Sequence, residues 1–149
     1  MDHVAIMRKS WKLIPKILSG EKKIESRWYK TKHSPWGKIK RGDAVYFKNS
    51  GEAVNIKAIV SKVLQFEDLT PKKVKTLLKK YGRADGIEKN EESRFYRRFK
   101  DKKYCLLIFL KNLKEIKPLD IDKRGFGVMA AWISVPKIGK IKKQWKKSR

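Results

Sequence analysis

The stretch Gly20-Glu21-Lys22-Lys23-Ile24-Glu25-Ser26-Arg27 puts a carboxylate between two cations within six residues. If it runs as a strand, side chains alternate, and Glu25 and Arg27 share a face. Lys22 would fall on the opposite face, so it must sit before the strand proper, in the turn after Gly20. Three such groups around one cleft can hold a phosphate, a base edge or each other. They can also do chemistry. Hydrolysis without a metal needs a general base and a cation for the charge that grows in the transition state. Glu25 with Lys22 and Arg27 supplies both types. A plain Glu25–Arg27 ion pair within a binding cleft explains the same residues with fewer demands.

Aromatic and basic residues follow directly. Tyr29 continues the face of Glu25 and Arg27, and Lys30, Lys32, Trp36 and Lys38 lie in or beside a polar loop at 30–37. Basic grooves with aromatic platforms hold single strands, each stacked base contributing about 1–3 kcal/mol. Trp28 falls on the face of Ile24 and is read as core. Trp36 divides evenly between packing and stacking, and core is the safer reading for Trp132. His3 belongs to a first strand, and His33 to the cleft-side loop, as a surface residue rather than a base. No Cys/His cluster has zinc-ligand spacing, so neither metal nor cofactor is expected.

The elements that must position these residues follow from pattern. His3–Met7 reads as a strand. Ser10 caps a short helix ending at Leu18, with Pro15 in its first turn and Gly20 at its end. A second strand covers 22–29. Arg41-Gly42-Asp43 turns into a strand at 44–47, and 54–64 is a long strand. Thr70-Pro71 opens a helix with Val74, Leu77, Leu78 and Tyr81 at helical spacing. Asn90 caps another, with Phe95, Tyr96 and Phe99. Residues 103–110 form a central strand, and 113–116 and 130–135 further strands. The result is one α+β domain over residues 1–136, with a basic tail at 137–149.

The pattern Gly20-x-Lys22-x-x-Glu25-x-Arg27, after a strand and a helix, resembles the signature of the ASCH domain family. Ile39-Lys40-Arg41-Gly42-Asp43-Ala44-Val45 resembles that family's Gly-Asp turn. The likeness covers 1–65 in motif and 66–135 in the order of elements; the tail has no counterpart. It implies a PUA-like fold, a small mixed β-barrel with flanking helices, and a role in RNA-linked processes. It also implies that Lys22, Glu25 and Arg27 point into a cleft. Some members are thought to be amidohydrolases acting on N4-acetylcytidine through a lysine, a threonine and a glutamate. The lysine falls on Lys22, but Glu25 stands at the threonine's position, so the nucleophilic hydroxyl is missing. Glu67 is the candidate for the distal glutamate.

Charge narrows the partner. With 40 Lys+Arg against 15 Asp+Glu, the 149 residues carry +25. Each cation that meets a phosphate releases condensed counterions, which drives binding to any polyanion. A coding bias toward Lys is the bland alternative. The tail and the solvent side of the helix from Thr70 add cations that track phosphate without reading sequence. The lone Cys105, within an apolar run, suits a reducing, cytoplasmic setting. No signal peptide or membrane-spanning run is read from the sequence. The expectation is an RNA-binding domain, with DNA possible and the oligomeric state open. The alternatives are a metal-independent hydrolase in the same cleft and a charge-driven ribonucleoprotein assembly protein. For the hydrolase the resemblance implies a ribonuclease before an amidohydrolase, with Glu25 as the base near the 2′-hydroxyl and Lys22 and Arg27 as the cations.

Overall fold

The structure, a computed structural model, describes residues 1–127 and 130–143. Six strands and three α-helices follow in the order β1 (Asp2–Met7), α1 (Leu13–Leu18), β2 (Ile24–Tyr29), β3 (Ala44–Asn49), β4 (Val54–Phe66), α2 (Pro71–Tyr81), α3 (Glu92–Phe99), β5 (Tyr104–Leu119) and β6 (Trp132–Val135). They form one sheet in the order β2-β5-β4-β3-β1-β6, with β1 and β3 parallel and every other pair antiparallel. The sheet curls into a half-barrel, an α+β PUA-like fold. Register shifts at three points between β4 and β5 help it to bend, because a bulge adds local twist.

Apolar alternation decides which faces are covered. Met7, Val45, Phe47, Ile56, Ala58, Val60 and Ile108 pack in one cluster with Ile14 and Ile17 of α1. Ile24, Trp28, Cys105 and Leu107 face α2 and α3. Thr70 Oγ1 accepts from Lys73 N as expected, with Pro71 in the first turn. Trp28 is core: its ring stacks on Phe99 at 4.7 Å and 6°.

Several boundaries differ from the sequence reading. Ser10 caps nothing; it lies within a 3₁₀ turn at Lys9–Trp11, and Lys12 adopts a left-handed φ of 53° before α1. Asn90 likewise lies inside a 3₁₀ turn, Lys89–Glu91, where the Glu91 carboxylate accepts from the Glu88 backbone N–H at 3.1 Å. Residues 113–116 are no separate strand but the far half of β5, which passes Asn112 at φ 53° without breaking. The packed domain also runs past the boundary at 136. Ile138 is buried, its N–H donates to Asp2 at 2.8 Å, and Lys142 bridges to Ile121. The rest of the basic tail, 144–149, lies outside the described residues.

Candidate functional site

β2 and β6 are the two edges of the sheet and do not pair with each other. Side chains span the seam instead. Arg27 on β2 donates to the Ala131 carbonyl at 3.2 Å and lies 5.0 Å from the centre of the Trp132 ring on β6. Beside this contact the seam opens into a cleft of about 590 Å³. Its walls are Tyr29, His33, Ser34 and Lys38 on one side, and Gly125, Phe126, Ala130, Ala131, Trp132, Ile133 and Ser134 on the other. No acidic side chain is among them. Tyr29 donates to the Ser34 carbonyl at 3.1 Å, and burial pushes its phenol up to about 12, so it stays a neutral donor. Lys38 Nζ donates to Ser34 Oγ at 2.9 Å.

The signature residues divide. Lys22 precedes β2, as its place in the alternation requires, and is 1% exposed. Its ammonium donates to the carbonyls of Ile24 and Asp85, each at 2.7 Å, and to the Asp85 carboxylate, with Glu25 at 3.5 Å. Three donors are thereby taken, and none turns to solvent. Burial alone would pull this lysine's pKa down, but the charges of Asp85 and Glu25 outweigh it and hold the ammonium ionised. Glu25, 3% exposed, lies between Lys22 and Arg27, at 3.5 Å from each. One of its oxygens, Oε2, has no hydrogen-bond donor. Lys22 thus orders Glu25, Glu25 orders Arg27, and Arg27 reaches the seam.

The remaining expected residues scatter. Lys30 is exposed. Lys32 pairs with Glu67 at 3.1 Å on the surface, so Glu67 is not the acid beside Lys22. Trp36 packs edge-on against Tyr104 at 5.3 Å, outside the cleft. His33 lines the cleft, with its ring 5.6 Å from Tyr29. Trp132, buried in the core, also forms cleft wall.

Three contributors escaped the sequence reading. Asp85 sits 63 residues from Lys22, and its other oxygen accepts from Ser26. Its neighbour Gly86 has φ +84°, and a Cβ there would meet Lys22 Cβ at 3.2 Å. Gly86→Ala is therefore expected to lower stability by about 1–3 kcal/mol in thermal or urea unfolding. Phe126 stands 39% exposed in Lys123-Arg124-Gly125-Phe126-Gly127, with left-handed glycines on both sides. An aromatic between glycines in a basic loop was the available signal.

His3 and Asp43 brace the β6 side. His3 is wholly buried and bonds Asp43 and Ser134. Burial lowers its pKa against the raising effect of the Asp43 hydrogen bond and charge. Burial would raise Asp43, but hydrogen bonds from His3, the Lys40 amide and the N-terminus lower it. Both shifts have the same sign for stability: the contribution is present above the unfolded pKa and lost as pH falls through the folded one. The melting temperature should therefore begin to drop below His3's ordinary value of 6.5 and drop again below 3.8. Melting curves from pH 8 to 3 check this, and His3→Gln should remove the upper step and weaken the lower one, because Asp43 loses the imidazole's hydrogen bond.

No group of three or more His, Cys, Asp or Glu among the described residues is arranged to hold a metal. None of its helices is long and apolar enough to cross a membrane. No family model and no curated protein matches the sequence. Solved structures do match the fold. An ASCH protein from Zymomonas mobilis superposes with TM-score 0.65 at 17% identity, covering 96% of both chains. A variant of it, with a tyrosine replaced by phenylalanine, gives 0.67 at 18% identity over 93% of both. The N-terminal domain of Staphylothermus marinus McrB gives 0.50 at 15% identity, over 80% of this chain and 76% of that one. The half-barrel, its element order and these superpositions give one conclusion: the chain has the ASCH fold, a PUA-like fold.

Proposed function

We propose that this protein binds single-stranded nucleic acid, RNA before DNA, in the seam cleft between β2 and β6. The observation that carries the reading is the cleft itself. It has aromatic walls, one lysine (Lys38) and no acidic wall residue, and it belongs to a chain of charge +25. Its volume lies within the range of about 300–1,000 Å³ typical of ligand clefts. A splayed base would enter between Tyr29 and Phe126, with Lys38 and Arg27 at the phosphates. Lys22 and Glu25 act from beneath, by fixing Arg27, rather than by touching the strand. The cations of α2 add affinity of the sequence-blind kind. A preference for RNA would come from contacts to the 2′-hydroxyl.

The test is a fluorescence-polarisation titration of labelled single- and double-stranded RNA and DNA at low and moderate salt. Wild type should prefer single-stranded RNA at moderate salt, and Arg27→Ala should abolish that preference. If all four polymers bind alike, fade together with salt and ignore the substitution, the cleft reading fails and charge alone drives binding.

A further inference from the structure

Three side chains meet in a line beside the cleft, and the binding reading leaves them unused. His3 on β1 places Nε2 2.9 Å from Asp43 Oδ2 and Nδ1 2.8 Å from Ser134 Oγ. Trp132 Nε1 lies 3.2 Å from both His3 Nδ1 and Ser134 Oγ. These neighbours fix the protons. An indole N–H only donates, and the Ser134 oxygen has lone pairs to take it. An ionised carboxylate only accepts, so Nε2 carries the imidazole proton. The Ser134 hydroxyl then donates to Nδ1, while a lone pair of its oxygen takes the Trp132 N–H. The result is a neutral imidazole, oriented by a carboxylate, with its bare nitrogen on a half-buried hydroxyl that lines the cleft.

We propose that Ser134 is a nucleophile for acyl transfer, with His3 as its base and Asp43 as the positioning residue, acting on a carboxylic ester or amide held in the cleft. Only the location of that substrate rests on the cleft reading. Activation of a hydroxyl by an adjacent, oriented base is the general requirement for such a group. The choice of carbon over phosphorus follows from reach. His3 is wholly buried, so Nδ1 meets only what lies at the Ser134 oxygen. At phosphorus the leaving oxygen departs opposite the nucleophile, beyond Nδ1. At a carbonyl carbon the two sit side by side on one tetrahedral centre.

The Oγ–C bond forms as the hydroxyl proton passes to Nδ1 and the carbonyl π pair moves onto oxygen. That pair returns, the bond from carbon to the leaving oxygen or nitrogen breaks, and the leaving atom takes the proton from Nδ1. Water repeats the sequence on the seryl ester, which releases the carboxylic acid and restores Ser134. Lys38, in the same cleft, is the available cation for the oxyanion.

The test uses the full chain and a fluorophosphonate probe, with peptide mass spectrometry to locate the adduct. Labelling is expected at Ser134, absent in Ser134→Ala, and slowed about 10²–10⁴-fold in His3→Gln and in Asp43→Asn. Unfolding curves identify any variant that has lost its fold. A second measurement does not depend on those variants. Ser134→Cys puts a thiol against Nδ1, while Cys105 is buried and its thiol is pushed up by burial, so it stays silent. The charges facing His3 are Asp43, Asp2 and the N-terminal ammonium. Iodoacetamide should alkylate the new thiol at pH 6 as fast as at pH 8. An ordinary thiol titration near about 8.5, or probe labelling that ignores His3→Gln in a folded variant, overturns the proposal. Labelling without RNA affinity overturns the binding reading instead, and RNA affinity without labelling overturns this one.

Discussion

Asp85→Ala is expected to cost about 3–5 kcal/mol of folding stability, because it leaves a buried ammonium without its carboxylate. Lys22 is fully enclosed, and two of its four nearby acceptors belong to Asp85: a carbonyl, which the substitution keeps, and the carboxylate, which it removes. Glu25, at 3.5 Å, is too far to replace it. Domains of this size are stable by only about 5–15 kcal/mol, so the loss is a large share of the total. Asp85→Asn should cost less, since the amide oxygen can still accept from Lys22. The double variant Lys22→Met, Asp85→Leu removes both charges and should recover most of the loss, because apolar replacements of a buried pair are often neutral or better. Urea unfolding of the four proteins checks the series. A double variant as unstable as Asp85→Ala would mean that the charges themselves hold the 83–86 loop against β2.

The face of β2 was legible because alternation is a local rule. It put Glu25, Arg27 and Tyr29 together and Lys22 before the strand, and the structure places all four so. Asp85 was not legible, because nothing in Arg83-Ala84-Asp85-Gly86 marks a carboxylate that will be buried 63 residues away from its partner. The His3–Asp43–Ser134 line failed for the same reason. Each residue could be assigned to a strand or a turn, but their meeting depends on the parallel pairing of β1 with β3 and the antiparallel pairing of β1 with β6. Periodicity misled along β5, where the apolar run gives way after Leu110 to lysines at every third position (Lys111, Lys114, Lys117) on a less covered ladder with β4. The change in pattern records a change in burial, not the end of a strand. Trp36 illustrates the limit for loops: its composition allowed stacking or packing, and Tyr104, 68 residues on, was needed to decide.

Affinity for single-stranded RNA should fall roughly 300- to 15,000-fold between 50 and 200 mM salt if six to ten phosphates are neutralised. With +25 on the chain, that many contacts need no special site, so the fall alone does not distinguish a cleft from a charged surface. Two substitutions do. Lys38→Ala removes one cation from the cleft wall and should make the plot of log K against log salt shallower by about 0.7, the release expected per phosphate on a single strand. Phe126→Ala removes an exposed ring and no charge. It should lower affinity by about 1–3 kcal/mol at every salt concentration and leave the slope unchanged, because stacking releases no counterions. A parallel displacement for Phe126→Ala together with a changed slope for Lys38→Ala places base and phosphate in the seam at once. If Lys38→Ala behaves like the loss of any surface lysine on α2 and Phe126→Ala has no effect, the strand runs elsewhere on the basic surface and the seam is not its site.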